Sequence, residues 1–183
     1  MKQLYVWLLA ASFTTLPSFA QEGATNPLSS GQKFVYGIVK ANLIKAAEKM
    51  PEEAYASKPT PDVRSFAQLM GHVADANYGF CSAVSGKKPP ISGIEKSKTT
   101  KADLVEAVKS SFSYCDEVYD GMTDADAVTI VKFFGQNAPK LSILSFHTAH
   151  ADEHYGNAVT YMRLKGIVPP SSERPPAPAA KSN

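Results

Sequence analysis

Three histidines near the C-terminal end of the chain, His147, His150 and His154, recur at intervals of three and four residues. That spacing stacks side chains along one face of a helix. Ile143, Ala151, Ala158, Tyr161 and Met162 continue the stripe, which is the pattern of a core-facing bundle helix. An inward imidazole with no partner costs roughly 1–3 kcal/mol, so three in one stripe call for something that satisfies them. A divalent metal ion does so. His150 and His154, at i and i+4, offer two nitrogens to one ion, but a third ligand from the same straight helix converges poorly. The remaining histidine, His72, lies in a second predicted helix. The expected ligand set is therefore His72, His150 and His154, with coordination positions left open for water or substrate as in a catalytic site. Three imidazoles suit several late transition metals comparably well, and Zn, Ni or Fe is the cofactor expected.

Other side chains near these ligands have two readings each. His147 is placed to line the pocket or to orient a ligand from outside. Asp75, one turn after His72, either holds that ring through its second nitrogen or is a surface carboxylate. Glu153 either serves as a general base beside the ion or is solvated on the helix flank, and Tyr155 is a further candidate for the pocket. His150-x-x-Glu153-His154 also matches an inverted zinc-protease motif. Such an enzyme needs a further acidic ligand well downstream in a large domain, and here little more than the end of one helix and a Pro-rich tail follow, so the protease reading is not the one expected.

Four helical segments must position these groups. The first follows Ser29 and Ser30 and runs to about Met50, with Phe34, Val35, Ile38, Val39, Leu43, Ala46 and Met50 on its apolar side. The second opens at Ser65, where Ser65-x-x-Gln68 reads as a capping box, and stops at Gly86. A third begins after Thr100 and ends before Gly121, and a fourth runs from about Leu141 to Lys165, with Gly166, Pro169 and Pro170 beyond it. Val128 to Phe134 is the one stretch with extended character. The fold expected is all-α, a four-helix bundle.

Between the second and third helices lies a loop, Gly86 to Thr99, that can extend to roughly 45 Å, longer than a helix of some twenty residues at about 30 Å. It can return along the bundle and start the third helix parallel to the second, a crossover instead of a hairpin. Parallel helices would set Cys81 and Cys115 at the same level. The pair then reads either as a disulfide or as two small core side chains.

The ends of the chain differ from its middle. Lys2, the apolar run from Leu4 to Leu16 and Ser18-Phe19-Ala20 read as a signal peptide over residues 1–20, which places the mature chain in the periplasm or outside the cell. Residues 21–168 form the bundle, and residues 169–183, rich in Pro and Ala, form a tail expected to be disordered. The formal charge of +2 falls to +1 without Lys2, and no basic stripe with interleaved aromatics is present. Nucleic acid is therefore not an expected partner, nor is a membrane once the leader is removed. An unidentified small-molecule substrate is expected, and a homodimer is left open.

With these residues in place the chain resembles the DinB/YfiT-like superfamily. The likeness rests on "SFAQLMGHVADANYGF" around His72 and "HTAHADEHYGNAVTYMRLKGIVPP" at the end, with a first helix closing at Leu43 to Pro51. It implies a four-helix bundle with a crossover between helices 2 and 3, and a metal held by one histidine of helix 2 and an H-x-x-x-H pair of the last helix, here His72, His150 and His154. Glu153, Tyr155 and Asn157 stand where many members carry a second histidine and Arg-Gly-Gln. Characterised members include metal-dependent transferases and isomerases that act with low-molecular-weight thiols such as bacillithiol, mycothiol or glutathione. The function expected is an exported metal-dependent enzyme of transferase or hydrolase type, in which the ion activates water or a thiol. The alternative is a non-catalytic metal- or ligand-binding bundle.

Overall fold

The first helix owes its start to a residue almost a hundred positions away. In the computed structural model, which describes residues 25–173, α1 spans Pro27–Lys49, and its first amides, of Leu28 and Ser29, donate to the two carboxylate oxygens of Asp124 at 3.1 and 2.8 Å. Asn26 returns the contact by accepting from the Asp124 amide at 2.9 Å. The helix therefore begins before Ser29 and Ser30, and Ser29 is buried against the same carboxylate.

The buried face of α1 also differs from the expected one. Tyr36, Val39, Leu43, Ala46 and Ala47 point inward, whereas Phe34, Val35 and Ile38 are 70, 47 and 49 % exposed. Tyr36 decides this rotation. Its hydroxyl donates to the Phe112 carbonyl or to Asp116, both at 2.9 Å, and its ring stacks on Tyr119 at 3.8 Å. A tyrosine that can satisfy its hydroxyl inside the bundle competes well with a phenylalanine for the core.

After a 3-10 turn at Glu52–Ala54, α2 spans Phe66–Ser85. It opens with the Ser65/Gln68 capping box in both directions and closes at Gly86 in the left-handed conformation, φ 74°. The crossover loop carries one turn of helix, α3, Ile94–Ser97. Then come α4, Lys101–Asp120, capped by the Thr100 hydroxyl, and the short α5, Asp124–Ala127. A two-stranded antiparallel hairpin, β1 Ile130–Phe133 and β2 Gln136–Pro139, leads into α6, Lys140–Leu164.

The four long helices stand at the corners of a square in which α1 neighbours α4 and α6, and α2 neighbours the same two. Residue pairings give the directions. Asn77 with Ser111, Cys81 with Cys115 and Lys87 with Glu117 advance together, so α2 and α4 run parallel, as the crossover requires. Phe66 with Tyr161, His72 with His150 and Phe80 with Phe146 advance in opposition, so α2 and α6 are antiparallel. The structure pairs Cys81 and Cys115 in a disulfide, with their Cα atoms 5.4 Å apart.

The bundle extends further than residue 168. Pro169 and Pro170 are buried, and a 3-10 turn at Pro170–Ser172 is held by the Tyr155 hydroxyl, while Lys49 pairs with Glu173 and reaches the Val168 carbonyl at 2.9 Å. The expected disordered tail is thus corrected over 169–173, where two prolines are buried and the turn is tied by hydrogen bonds. Residues 174–183 and the leader at 1–20 lie outside the described residues. No helix among the described residues is long and apolar enough to cross a membrane.

Candidate metal centre

The antiparallel contact of α2 with α6 brings His72 against His150 and His154. Their ligand atoms lie within 4.8 Å of one another. His72 Nε2 is 3.3 Å from His150 Nε2, which is 3.1 Å from His154 Nε2. Nitrogens bound at about 2.05 Å to a tetrahedral ion stand roughly 3.3 Å apart, so the three rings fit a common metal ion. Burial holds the His150 and His154 rings below the ordinary imidazole range, with the neighbouring imidazoles adding to it, and His154 is pushed down to about 4. Neutral rings with free lone pairs are what a metal ligand must be.

The outer nitrogens are occupied in a way that selects those lone pairs. Glu95 Oε2 and Arg64 Nη2 lie 3.2 and 3.3 Å from His72 Nδ1; with the ring proton on Nδ1 and given to the carboxylate, Nε2 is left free to bind. Asn157 Nδ2 sits 3.3 Å from His154 Nδ1; a ring that binds through Nε2 carries its proton on Nδ1, and turning the amide over, which exchanges its nitrogen and oxygen, gives that proton an acceptor. Arg64 Nε donates to Glu95 Oε1 at 2.9 Å. Burial alone would raise the Glu95 carboxyl, but the Arg64 bond and charge, with His72, hold it below the usual carboxylate range.

Glu95 reaches His72 because of how α3 is seated. Asp75 accepts from the amides of Ile94 and Glu95, both at 3.0 Å, one with each carboxylate oxygen. A Cβ on Gly71 would lie 2.6 Å from the Glu95 Cα, so only glycine lets α3 approach this closely. Asp75 therefore does not meet the His72 ring, as one reading expected. It fixes the turn that carries the carboxylate which does.

The remaining expected site residues lie elsewhere. His147 is fully buried; its Nε2 donates to Asn77 Oδ1 at 2.8 Å, and its Nδ1 accepts from the Tyr119 hydroxyl at 3.0 Å. Both nitrogens are committed, one turn from the triad, so it neither joins the ligands nor lines a pocket. Tyr155 is corrected too: its hydroxyl donates to Ser171 Oγ and accepts from Ser171 N, both at 2.8 Å, away from the site. Glu153 is on the exposed flank of α6, and only its charge reaches His150.

Beside His154 opens a cleft of about 620 Å³, lined by Arg64, Glu95, Asn157 and Tyr161 among others. The Tyr161 hydroxyl donates to the Arg64 carbonyl, which ties the strand of chain carrying the guanidinium to α6. Sequence reading missed Arg64, Glu95 and Gly71. Glu95 falls in the crossover, where helical spacing carries no information. Its one signal is a Gly93-Ile94-Glu95 step, a turn former followed by an apolar anchor.

A four-helix bundle with a crossover and three converging imidazoles defines a class of candidate metalloproteins. A family model described as the DinB superfamily matches residues 38–158, and the chain belongs to that superfamily. Its fold is similar to that of a DinB-like protein from Bacillus cereus ATCC 10987, with TM-score 0.69 and 18 % identity over 77 % of this chain and 95 % of that one. It is also similar to a DinB-like protein from Bacillus subtilis, with TM-score 0.64 and 20 % identity over 82 and 100 % of the two chains. A conserved protein from Enterococcus faecalis gives 0.62 and 16 % over 74 and 95 %. No curated protein sequence matches the chain.

Proposed function

We propose that this chain is an exported DinB-superfamily metalloprotein that binds a divalent transition metal through His72, His150 and His154 and acts as a metal-dependent enzyme of transferase or hydrolase type. The observation that carries the reading is the meeting of three Nε2 atoms at 3.1 and 3.3 Å. A divalent ion there supplies Lewis acidity, lowering the pKa of water or a thiol and polarising a substrate oxygen. The chain's own residues do the rest. Glu95 and Asn157 orient the ligand rings, Arg64 presents a fixed positive charge at the cleft, and the cleft admits a small molecule beside His154.

The non-catalytic reading draws on one feature. Glu95 is engaged by both His72 and Arg64, and Glu153 faces solvent, so neither carboxylate is free beside the triad to take a proton. Metal analysis of the purified full chain, with His72→Ala and His150→Ala beside it, tests the ligand set. One ion per chain, lost in both variants, supports it; retention in either overturns it. Turnover of ester, amide or thiol-transfer substrates that depends on the bound ion then separates an enzyme from a binding bundle.

A further inference from the structure

The hairpin turn places a large aromatic side chain where the backbone disfavours one. Phe134 and Gly135 form the two-residue loop between Phe133 and its partner Gln136, with φ of 48° and 77°. A two-residue turn with both φ positive favours Asn, Asp or Gly at each position. Phe134 is instead an aromatic in the left-handed region, and it is 81 % exposed. Burial thus does little to offset the conformational cost, and outliers of this kind concentrate at functional sites.

The rings that follow it lead to the candidate metal centre. Phe134 lies 4.2 Å from Phe133, Phe133 5.0 Å from Phe80, and Phe80 5.5 Å from His150. Phe146, one turn before His150 on α6, sits 5.4 Å from Phe80 and is 53 % exposed. An aromatic strip therefore starts at the hairpin tip and ends on a ligand ring. The polar cleft with Arg64 and Glu95, at His154, shares no lining residue with this strip.

We propose that Phe134, Phe133 and Phe146 form a subsite for an apolar group of the substrate, so that the substrate is amphipathic, with an oxygen or sulfur donor at the triad and an aryl or alkyl chain over the strip. The occupant follows from continuity: Phe80 is buried and seats the strip against His150, while the exposed Phe146 stands one turn before His150 on α6, so a molecule anchored at the triad has that ring within reach. This inference rests on the metal reading of the same site.

Cobalt-loaded full-length chain gives a test through its visible band. Acetohydroxamate and 4-phenylbutanohydroxamate share a metal-binding head and differ in the apolar group. The aryl ligand is expected to bind at least about tenfold tighter, the return for covering one aromatic group. In Phe134→Asn with Phe146→Asn that advantage falls below about threefold, while the affinity for acetohydroxamate is unchanged. Phe134→Asn alone suits the turn, so its melting temperature should hold or rise.

Equal binding of the two ligands, or an advantage that survives the double variant, overturns the subsite and leaves the metal reading standing. A dimer that Phe134→Asn turns into a monomer also overturns it, by assigning the strip to a second copy. Absence of a cobalt band overturns the metal reading, and the subsite with it.

Discussion

Glu95 and His72 lie 23 residues apart in the chain and meet at 3.2 Å, carboxylate oxygen to ring Nδ1. The contact fixes which nitrogen of His72 faces His150 and His154. Glu95→Gln, which keeps the shape but loses the charge, is expected to weaken metal binding by about 10- to 100-fold. Competition with a chromophoric chelator measures this, and an unchanged affinity would remove Glu95 from the site.

Gly71→Ala acts on the same contact through the backbone. Its new Cβ would sit 2.6 Å from the Glu95 Cα, so α3 must move away from α2. A loss of about 1–3 kcal/mol in stability is expected, together with the weakened metal binding of the Glu95 variant. Normal affinity in a destabilised protein would show that α3 can shift without carrying Glu95 off the ring.

His147→Ala separates a structural histidine from the ligands. Its hydrogen bonds to Asn77 and Tyr119 are buried, so the variant should lose about 2–4 kcal/mol of stability and still take up one ion per chain. Metal content and urea midpoints on the same preparation give both answers.

The acid limb of stability should carry the same residue's mark. Burial pushes His147 down to about 3 from an ordinary 6.5, so below 6.5 the unfolded chain binds a proton that the folded chain refuses. Its contribution is fully present above pH 6.5 and is lost progressively as pH falls towards 3. In metal-free protein, His147→Gln should show a shallower fall of the urea midpoint over that window. Superimposable slopes would mean that His147 is protonated in the folded state.

The disulfide closes a separation of 34 residues, for which the chain-entropy relation gives roughly 3–4 kcal/mol. Reduction, or Cys81→Ala with Cys115→Ala, should lower stability by about that amount. Metal content should hold, because neither sulfur belongs to the triad.

The triad was legible in the sequence because a helix makes spacing into geometry. His150 and His154 had to share a face, and His72 was the one histidine available from another helix. The bundle and its crossover were legible from apolar periodicity and loop length in the same way. Glu95 and Arg64 were not, because they act from irregular segments whose positions are set by tertiary contacts such as Asp75 on the α3 amides. The face of α1 was misjudged at Phe34 and Ile38 because hydropathy ranks Tyr36 below them, whereas the bundle offers that hydroxyl two partners. Tyr155 and Asp75 were assigned by proximity along the helix, which fixes height but not the direction in which a side chain finds its partner.

The carboxylate of Asp124 that receives the amides of Leu28 and Ser29 has an implication for the order of assembly. The start of α1 has its first amides capped from a segment almost a hundred residues further on, so that turn gains its partner only once α5 is in place. The N-terminal turn is stitched down by a segment just ahead of the hairpin, which couples the start of α1 to the far half of the chain, so loss of the Asp124 carboxylate would loosen both.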